Sequence, residues 1–149
     1  MKLKGKTLLA YVAGIIDGEG SISIAQHKRK NGRLHHWELI VAVTNTQLWL
    51  IEFLHLQFGG HIDGRTVYFN RPNCKDSWRW TICATKASDF LKLVLPYLQL
   101  KKTRAELAIA FQNRKTHNTS NRNLVNEQRM MDEIDFIAMR AWNKRGKEV

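Results

Sequence analysis

Leu8 to Gly20, reading LLAYVAGIIDGEG, is the stretch around which the rest of the chain is organised. Its apolar residues recur at helical spacing, with Leu8, Val12 and Ile15, and also Leu9, Val12 and Ile16, falling on one side. Ala10, Ala13, Gly14 and Asp17 form a second, small-sided stripe at i, i+3, i+4 and i+7. A glycine in a helix interior costs about 1 kcal/mol against alanine. Gly14 therefore does not serve local stability, and the stripe predicts close packing against a second helix. Gly18 is the natural helix end, because Gly18 and Gly20 bracket Glu19 just before Ser21 to Ala25, where the period changes to two. Two carboxylates, Asp17 and Glu19, are thereby expected on a turn whose carbonyls the helix terminus leaves unpaired. Oxygen-only donors of this kind suit a hard cation such as magnesium or calcium.

Outward from that stretch the pattern alternates. Ile22 and Ile24 share one face of a first strand, with Ser23, Ala25, His27 and Arg29 on the other. Asn31-Gly32 supplies a hairpin turn. The return strand turns Trp37, Leu39, Val41 and Val43 inward and His36, Glu38, Ile40, Ala42 and Thr44 outward, and the tip between the strands carries Lys28, Arg29, Lys30 and Arg33. A long hairpin with a polar outer face and a basic tip suits a DNA major groove, which admits a two-stranded ribbon.

Thr46 to Phe58 returns to helical spacing, with Leu50, Phe53, Leu54 and Phe58 as its buried side and Gly59-Gly60 as its end. A second strand pair is expected over His61 to Phe69 and Ser77 to Ala84, the latter with Trp78, Trp80, Ile82 and Ala84 on one face and Arg79, Thr81 and Cys83 on the other. Arg65, Arg71 and Lys75 are further candidate base or phosphate contacts. The tryptophans could be stacking platforms for single strands, but their spacing of two matches an inward face. Three more helices are expected: Lys86 to Leu95, broken by Pro96; Thr103 to about Lys115; and a last one from about Asn123. The last one's apolar residues, Met130, Met131, Ile134, Ile137, Ala138, Ala141 and Trp142, are read as core, with a partner surface marked by the Met and Trp residues as the alternative. The resulting order, αββαββα plus extra C-terminal helices, describes an α+β domain whose helices cover one face of an antiparallel sheet and leave the other to solvent or ligand.

One domain is expected over the 149 residues, with a core over about 6–110 and a helical extension over about 116–149. Twenty-four lysines and arginines against 13 acids give a formal charge of +11, an electrostatic footprint for a polyanion. Nucleic acid is favoured over membrane, because no apolar run reaches the roughly 18 residues that span a bilayer. Two cysteines without a CxxC spacing support neither a disulfide framework nor a zinc site and point to an intracellular setting. No secretion signal is read in the basic start MKLKGK. A metal site on His35 and His36 has little support, since adjacent strand positions point to opposite faces.

Val12 to Gly20, VAGIIDGEG, resembles the LAGLIDADG motif: Ala13, Gly14, Ile16, Asp17 and Gly20 match its letters, and Glu19 stands at its second acidic position. Leu95 to Lys101, LPYLQLK, resembles that family's second recurrent signature. The chain is accordingly similar to LAGLIDADG homing endonucleases, over roughly residues 6 to 110. No second copy of the first motif is found, so the likeness is to single-motif members.

The resemblance implies an antiparallel saddle with helices on one face and a homodimer built through Ala10, Ala13, Gly14 and Asp17. Its target is double-stranded DNA with a partly palindromic site. The implied reaction is magnesium-dependent hydrolysis of both strands, in which divalent ions assist the attacking water, the phosphate charge and the leaving oxygen. Manganese is expected to substitute, and calcium to support binding without cleavage. Glu19 from each subunit and the Gly18 carbonyl would hold metal, Lys101 would stabilise transition-state charge, and Asn45 or Gln47 would position water. Asp17 would orient the motif turn. The other reading of the same scaffold is an inactive DNA-binding regulator or an RNA maturase, which would keep the basic sheet without needing Glu19.

Overall fold

The computed structural model describes residues 5–28, 36–66, 73–117 and 122–144, with the side chains of 65–66, 116–117 and 122–125 outside that description. The Asn31-Gly32 turn and the contacts expected of Arg29, Lys30, Arg33, Arg71 and the Arg65 side chain therefore lie outside the described residues. The element order is α1 (Gly5–Glu19), β1 (Gly20–His27), β2 (His36–Asn45), α2 (Leu48–Phe58), β3 (His61–Thr66), β4 (Ser77–Cys83), α3 (Ala84–Val94), a 3-10 turn (Leu95–Tyr97), α4 (Lys102–His117) and α5 (Arg122–Asn143). This is the expected αββαββα order followed by two helices.

The four strands form one antiparallel sheet in the order β1-β2-β4-β3. Strict alternation explains which face is covered. Ile22, Ile24, Trp37, Leu39, Val41, Val43, Trp80 and Ile82 all point into the core, where they meet Val12, Ala13 and Ile16 of α1, Ile51 and Leu54 of α2, and Phe90, Leu91 and Val94 of α3. Trp80 is fully buried, packs edge-on to Phe90 at 5.4 Å and donates its indole N–H to the Gly59 carbonyl at 2.7 Å. This is the core role that the spacing of two predicts. Gly60 must be glycine here: its φ is +88°, and a Cβ would lie 2.6 Å from the Thr81 carbonyl oxygen.

Several boundaries differ from expectation. β4 stops at Cys83, and Ala84, at φ 51°, opens α3 instead of extending the strand. Asn123 lies inside α5 and not at its cap.

The larger correction concerns the face that α5 presents. Met130, Ile134 and Ile137 are 65%, 55% and 58% exposed, whereas Asp132 and Asp135 are buried beside Met139. The reason is a cation on the neighbouring helix. Arg114 of α4 donates to Asp135 and lies 3.6 Å from Asp132, so the polar side of α5 is the one that α4 holds. Lys115, next to Arg114, donates to the Trp37 carbonyl and sits over the Phe111 ring. α5 packs along the edge strand β1. Among the described residues, no helix is long and apolar enough to cross a membrane.

Candidate active site

The sheet's uncovered face and the end of α1 meet at Glu19. α1 runs through Glu19, and β1 begins at the next residue without a loop. Gly20 permits that junction, because a Cβ there would lie 2.8 Å from both the Cα and the carbonyl oxygen of Ile16. Glu19 is exposed and borders two cavities. The first, about 780 Å³, is lined by Gly18, Ser21, Ser23, Ala42, Thr44, Lys101, Arg104 and Trp142 to Lys144. The second, about 500 Å³, is lined by Thr44, Asn45, Thr46, Cys74, Lys75 and Ser77. Glu19 thus shares one space with Gly18 and Lys101 and another with Asn45, while Gln47 borders neither.

The two stretches singled out in the sequence are bonded to each other through Asp17 and Lys101, which are 84 residues apart. The Asp17 carboxylate accepts the backbone N–H groups of Gln99, at 2.8 Å, and Lys101, at 3.0 Å. The Lys101 ammonium donates to the carbonyls of Ile16, Asp17 and Gly20 at 2.7, 2.8 and 2.8 Å. Burial and the nearby Arg104 guanidinium pull the Lys101 ammonium below its ordinary value, against the opposing pull of Asp17 and Glu19. Asn45 accepts the Gln47 N–H through its side-chain oxygen at 2.8 Å, which closes the turn between β2 and α2.

On the rest of the open face, cross-strand register aligns Ser21, Ala42, Thr81 and His61 in one row and Thr44, Arg79 and Asp63 in the next. Arg79 donates to Thr81 at 3.4 Å, and Thr81 to Asp63 at 3.4 Å. His27 and Glu38 lie 3.1 Å apart, and the His27 and His36 rings stack. Ser23 donates weakly to the Ile40 carbonyl, at 3.5 Å, with Ala25 beside it on the strand and Lys28 exposed just beyond β1. Ala42 is almost wholly covered, so what it offers is the floor of the first cavity.

The small-residue stripe divides. Ala13 is fully buried in the chain's own core, whereas Ala10 and Gly14 are exposed, and a Cβ at Gly14 would meet nothing within 4 Å. Among the described residues, no backbone makes the close approach that a glycine at position 14 predicts.

Arg104, Trp142, Asn143 and Lys144 also line this site, beyond the residues that the motifs predict. Arg104 donates to the Trp142 carbonyl at 2.7 Å, and the Asn143 amide donates to the Ile22 carbonyl at 2.8 Å, which brings the end of α5 to the cleft. Arg104 has a sequence signal, one turn beyond Lys101 at the start of α4. The α5 residues have none, because only folding brings them near Glu19.

The donors fit a hard cation in kind: an exposed carboxylate, that of Glu19, next to a main-chain carbonyl in the last turn of α1, that of Gly18. Within one chain they are too few: among the described residues, no group of three or more His, Cys, Asp or Glu side chains comes together.

No protein-family profile matches the sequence, and no curated protein sequence matches it. The fold, by contrast, is that of LAGLIDADG homing endonucleases. The chain is similar to the homing endonuclease I-CvuI in complex with DNA, at 21% identity and a TM-score of 0.70 over 95% of this chain and 85% of that one. It is also similar to the archaeal intron-encoded homing endonuclease I-Vdi141I complexed with DNA, at 15% identity and a TM-score of 0.68 over 95% and 87%. The LAGLIDADG homing endonuclease I-GzeII in complex with its DNA target is matched at 16% identity and a TM-score of 0.60, over 94% of this chain but 46% of that one.

Proposed function

We propose that the chain is a site-specific DNA endonuclease of the LAGLIDADG homing type, active as a homodimer and dependent on a divalent cation. Glu19 carries the reading: its exposed carboxylate stands at the end of α1 between two cavities that open on the uncovered sheet face. The DNA-bound complexes of I-CvuI were obtained with magnesium and with calcium, and the hard-oxygen character of Glu19 and the Gly18 carbonyl agrees with such ions. A bound cation would stabilise charge on the phosphate under attack.

The chain's own residues divide the remaining tasks. Glu19 and the Gly18 carbonyl supply the protein oxygens. Arg104 and Lys144 present positive charge along the first cavity, where a sugar-phosphate backbone can lie. Lys75 does the same in the second cavity. Arg79 and its neighbours on β1, β2 and β4 face the bases. Asn45 holds the turn at the rim of the second cavity in place, with Gln47 next to it.

A second copy completes the site. One chain brings a single exposed carboxylate, and a second brings another Glu19. The exposed Ala10 and Gly14 give α1 a side on which another α1 can approach closely, with Ala13 beneath it and the Asp17 carboxylate already used inside the chain.

The test is cleavage of a plasmid library of randomised targets in magnesium by the native chain and by Glu19→Gln. Site-specific double-strand cuts that vanish in the variant, with binding in calcium retained, are the expected result. Tight, specific binding with no cutting by either protein would overturn the endonuclease reading in favour of a DNA-binding regulator or an RNA maturase.

A further inference from the structure

An ammonium has three N–H donors and no acceptor, and Lys101 commits all three to the end of α1. Their targets are the carbonyls of Ile16, Asp17 and Gly20, none farther than 2.8 Å. The last turn of a helix leaves its final carbonyls without intrahelical partners. Lys101 takes those of Ile16 and Asp17 and reaches past Gly18 and Glu19 to that of Gly20. Gly18, the candidate metal donor, is the carbonyl it passes over. A cation at this place also meets the negative end of the helix dipole. The lysine is held in turn, since Asp17 binds its backbone N–H and that of Gln99.

We infer that Lys101 is a positioning residue: it caps α1 so that the Gly18 carbonyl and the Glu19 carboxylate stay unspent beside the two cavities, and it gives no hydrogen bond to the reacting phosphate. This view rests on the endonuclease reading only for its catalytic consequence. Three carbonyls converging on one nitrogen call for a compact ammonium. The planar guanidinium of arginine sends its N–H groups along fixed, diverging directions and does not reproduce the cap, although it keeps the charge.

The test uses the full chain with Lys101→Met and Lys101→Arg. Without DNA or metal, amide hydrogen exchange at residues 18–22 is expected to quicken about tenfold in both variants, since hydrogen bonds from a charged donor are lost. Unchanged exchange overturns the proposal whatever the nuclease assay shows. With the best target from the library bound, the half-saturating calcium concentration read by calorimetry is expected to rise about tenfold in both variants, the usual effect of disturbing a group that orients metal donors. Unchanged calcium affinity, together with cleavage lost in Lys101→Met and restored in Lys101→Arg, would mean that Lys101 acts on the phosphate directly, and would overturn it. If Lys101→Met does not fold, Lys101→Arg carries both measurements. If the native chain cuts no target while exchange quickens as expected, the cap stands and the endonuclease reading falls.

Discussion

Lys101 donates twice to Asp17, once from main chain to side chain and once from side chain to main chain: its backbone N–H donates to the Asp17 carboxylate at 3.0 Å, and its ammonium donates to the Asp17 carbonyl at 2.8 Å. Together with the Gln99 N–H, this pairing fastens the end of α1 to the segment that leads into α4. Asp17→Ala removes an acceptor from two backbone donors at once. A loss of about 2–3 kcal/mol is expected from two hydrogen bonds to a charged group in a partly exposed place, read by urea unfolding. Asp17→Asn, which keeps one oxygen, is expected to lose less.

The glycines of α1 and β1 predict opposite outcomes for the same substitution. Gly20→Ala forces a Cβ against the Ile16 backbone and should destabilise the chain by about 1–3 kcal/mol. Gly14→Ala meets only open space in one chain and gains about 1 kcal/mol of helix propensity, so a monomer should be stabilised. If α1 packs on α1 of a second copy, the same methyl weakens the dimer instead. Sedimentation velocity across a concentration series of native and Gly14→Ala chains reads this directly. An unchanged dimer with a raised melting temperature would remove α1 as the contact.

The open sheet face should bind DNA through charge and read it through Arg79. Affinity is expected to fall steeply with salt, with log K linear in log salt. Arg79→Ala, which also releases Thr81, should cost about 1–3 kcal/mol and relax preference at one position of the target. Equal affinity and equal site preference in a binding-site selection would remove Arg79 from the interface.

Asp132 makes stability depend on pH in the direction opposite to an ordinary paired carboxylate. Burial raises its pKa above 3.8, against the opposing pull of Lys115 and Arg114, and Asp135 adds to the rise. The folded chain therefore holds this proton at pH values where the unfolded chain has released it. The contribution is fully present below the unfolded value and is lost as pH climbs through the folded one. Asp132→Asn removes this dependence, so its melting temperature relative to the native chain should improve as pH rises from about 4 upward. Thermal melts of both proteins at half-unit pH steps decide it, and parallel curves would refute it.

Periodicity and local punctuation made much of this chain legible. Period-two runs placed Ile22, Ile24, Trp37, Leu39, Val41, Val43, Trp80 and Ile82 in the core, where they are. Two short motifs located the ends of α1 and of the turn before α4, and these prove to be bonded together. What stayed hidden depends on partners distant in sequence. The buried face of α5 is the opposite of the one its apolar spacing predicts, because Asp132 and Asp135 are tolerable inside only with Arg114 beside them. Ala13 and Gly14 are both small, and only the sheet beneath decides that one is core and the other surface. The donor pattern of Lys101 needs three carbonyls at one point, which no spacing records. Trp142 to Lys144 reach the cleft through a helix whose own pattern points elsewhere.

That helix has a second consequence, for how the chain behaves in a crowd. β1 is an edge strand, and the outer side of such a strand offers unpaired N–H and C=O groups to any other extended chain. α5 lies along it, and the Asn143 amide occupies the Ile22 carbonyl. A chain shortened to end before α5 would keep the sheet and the Glu19 turn but leave that edge bare. Its first failing would be to stack with its own kind and come out of solution.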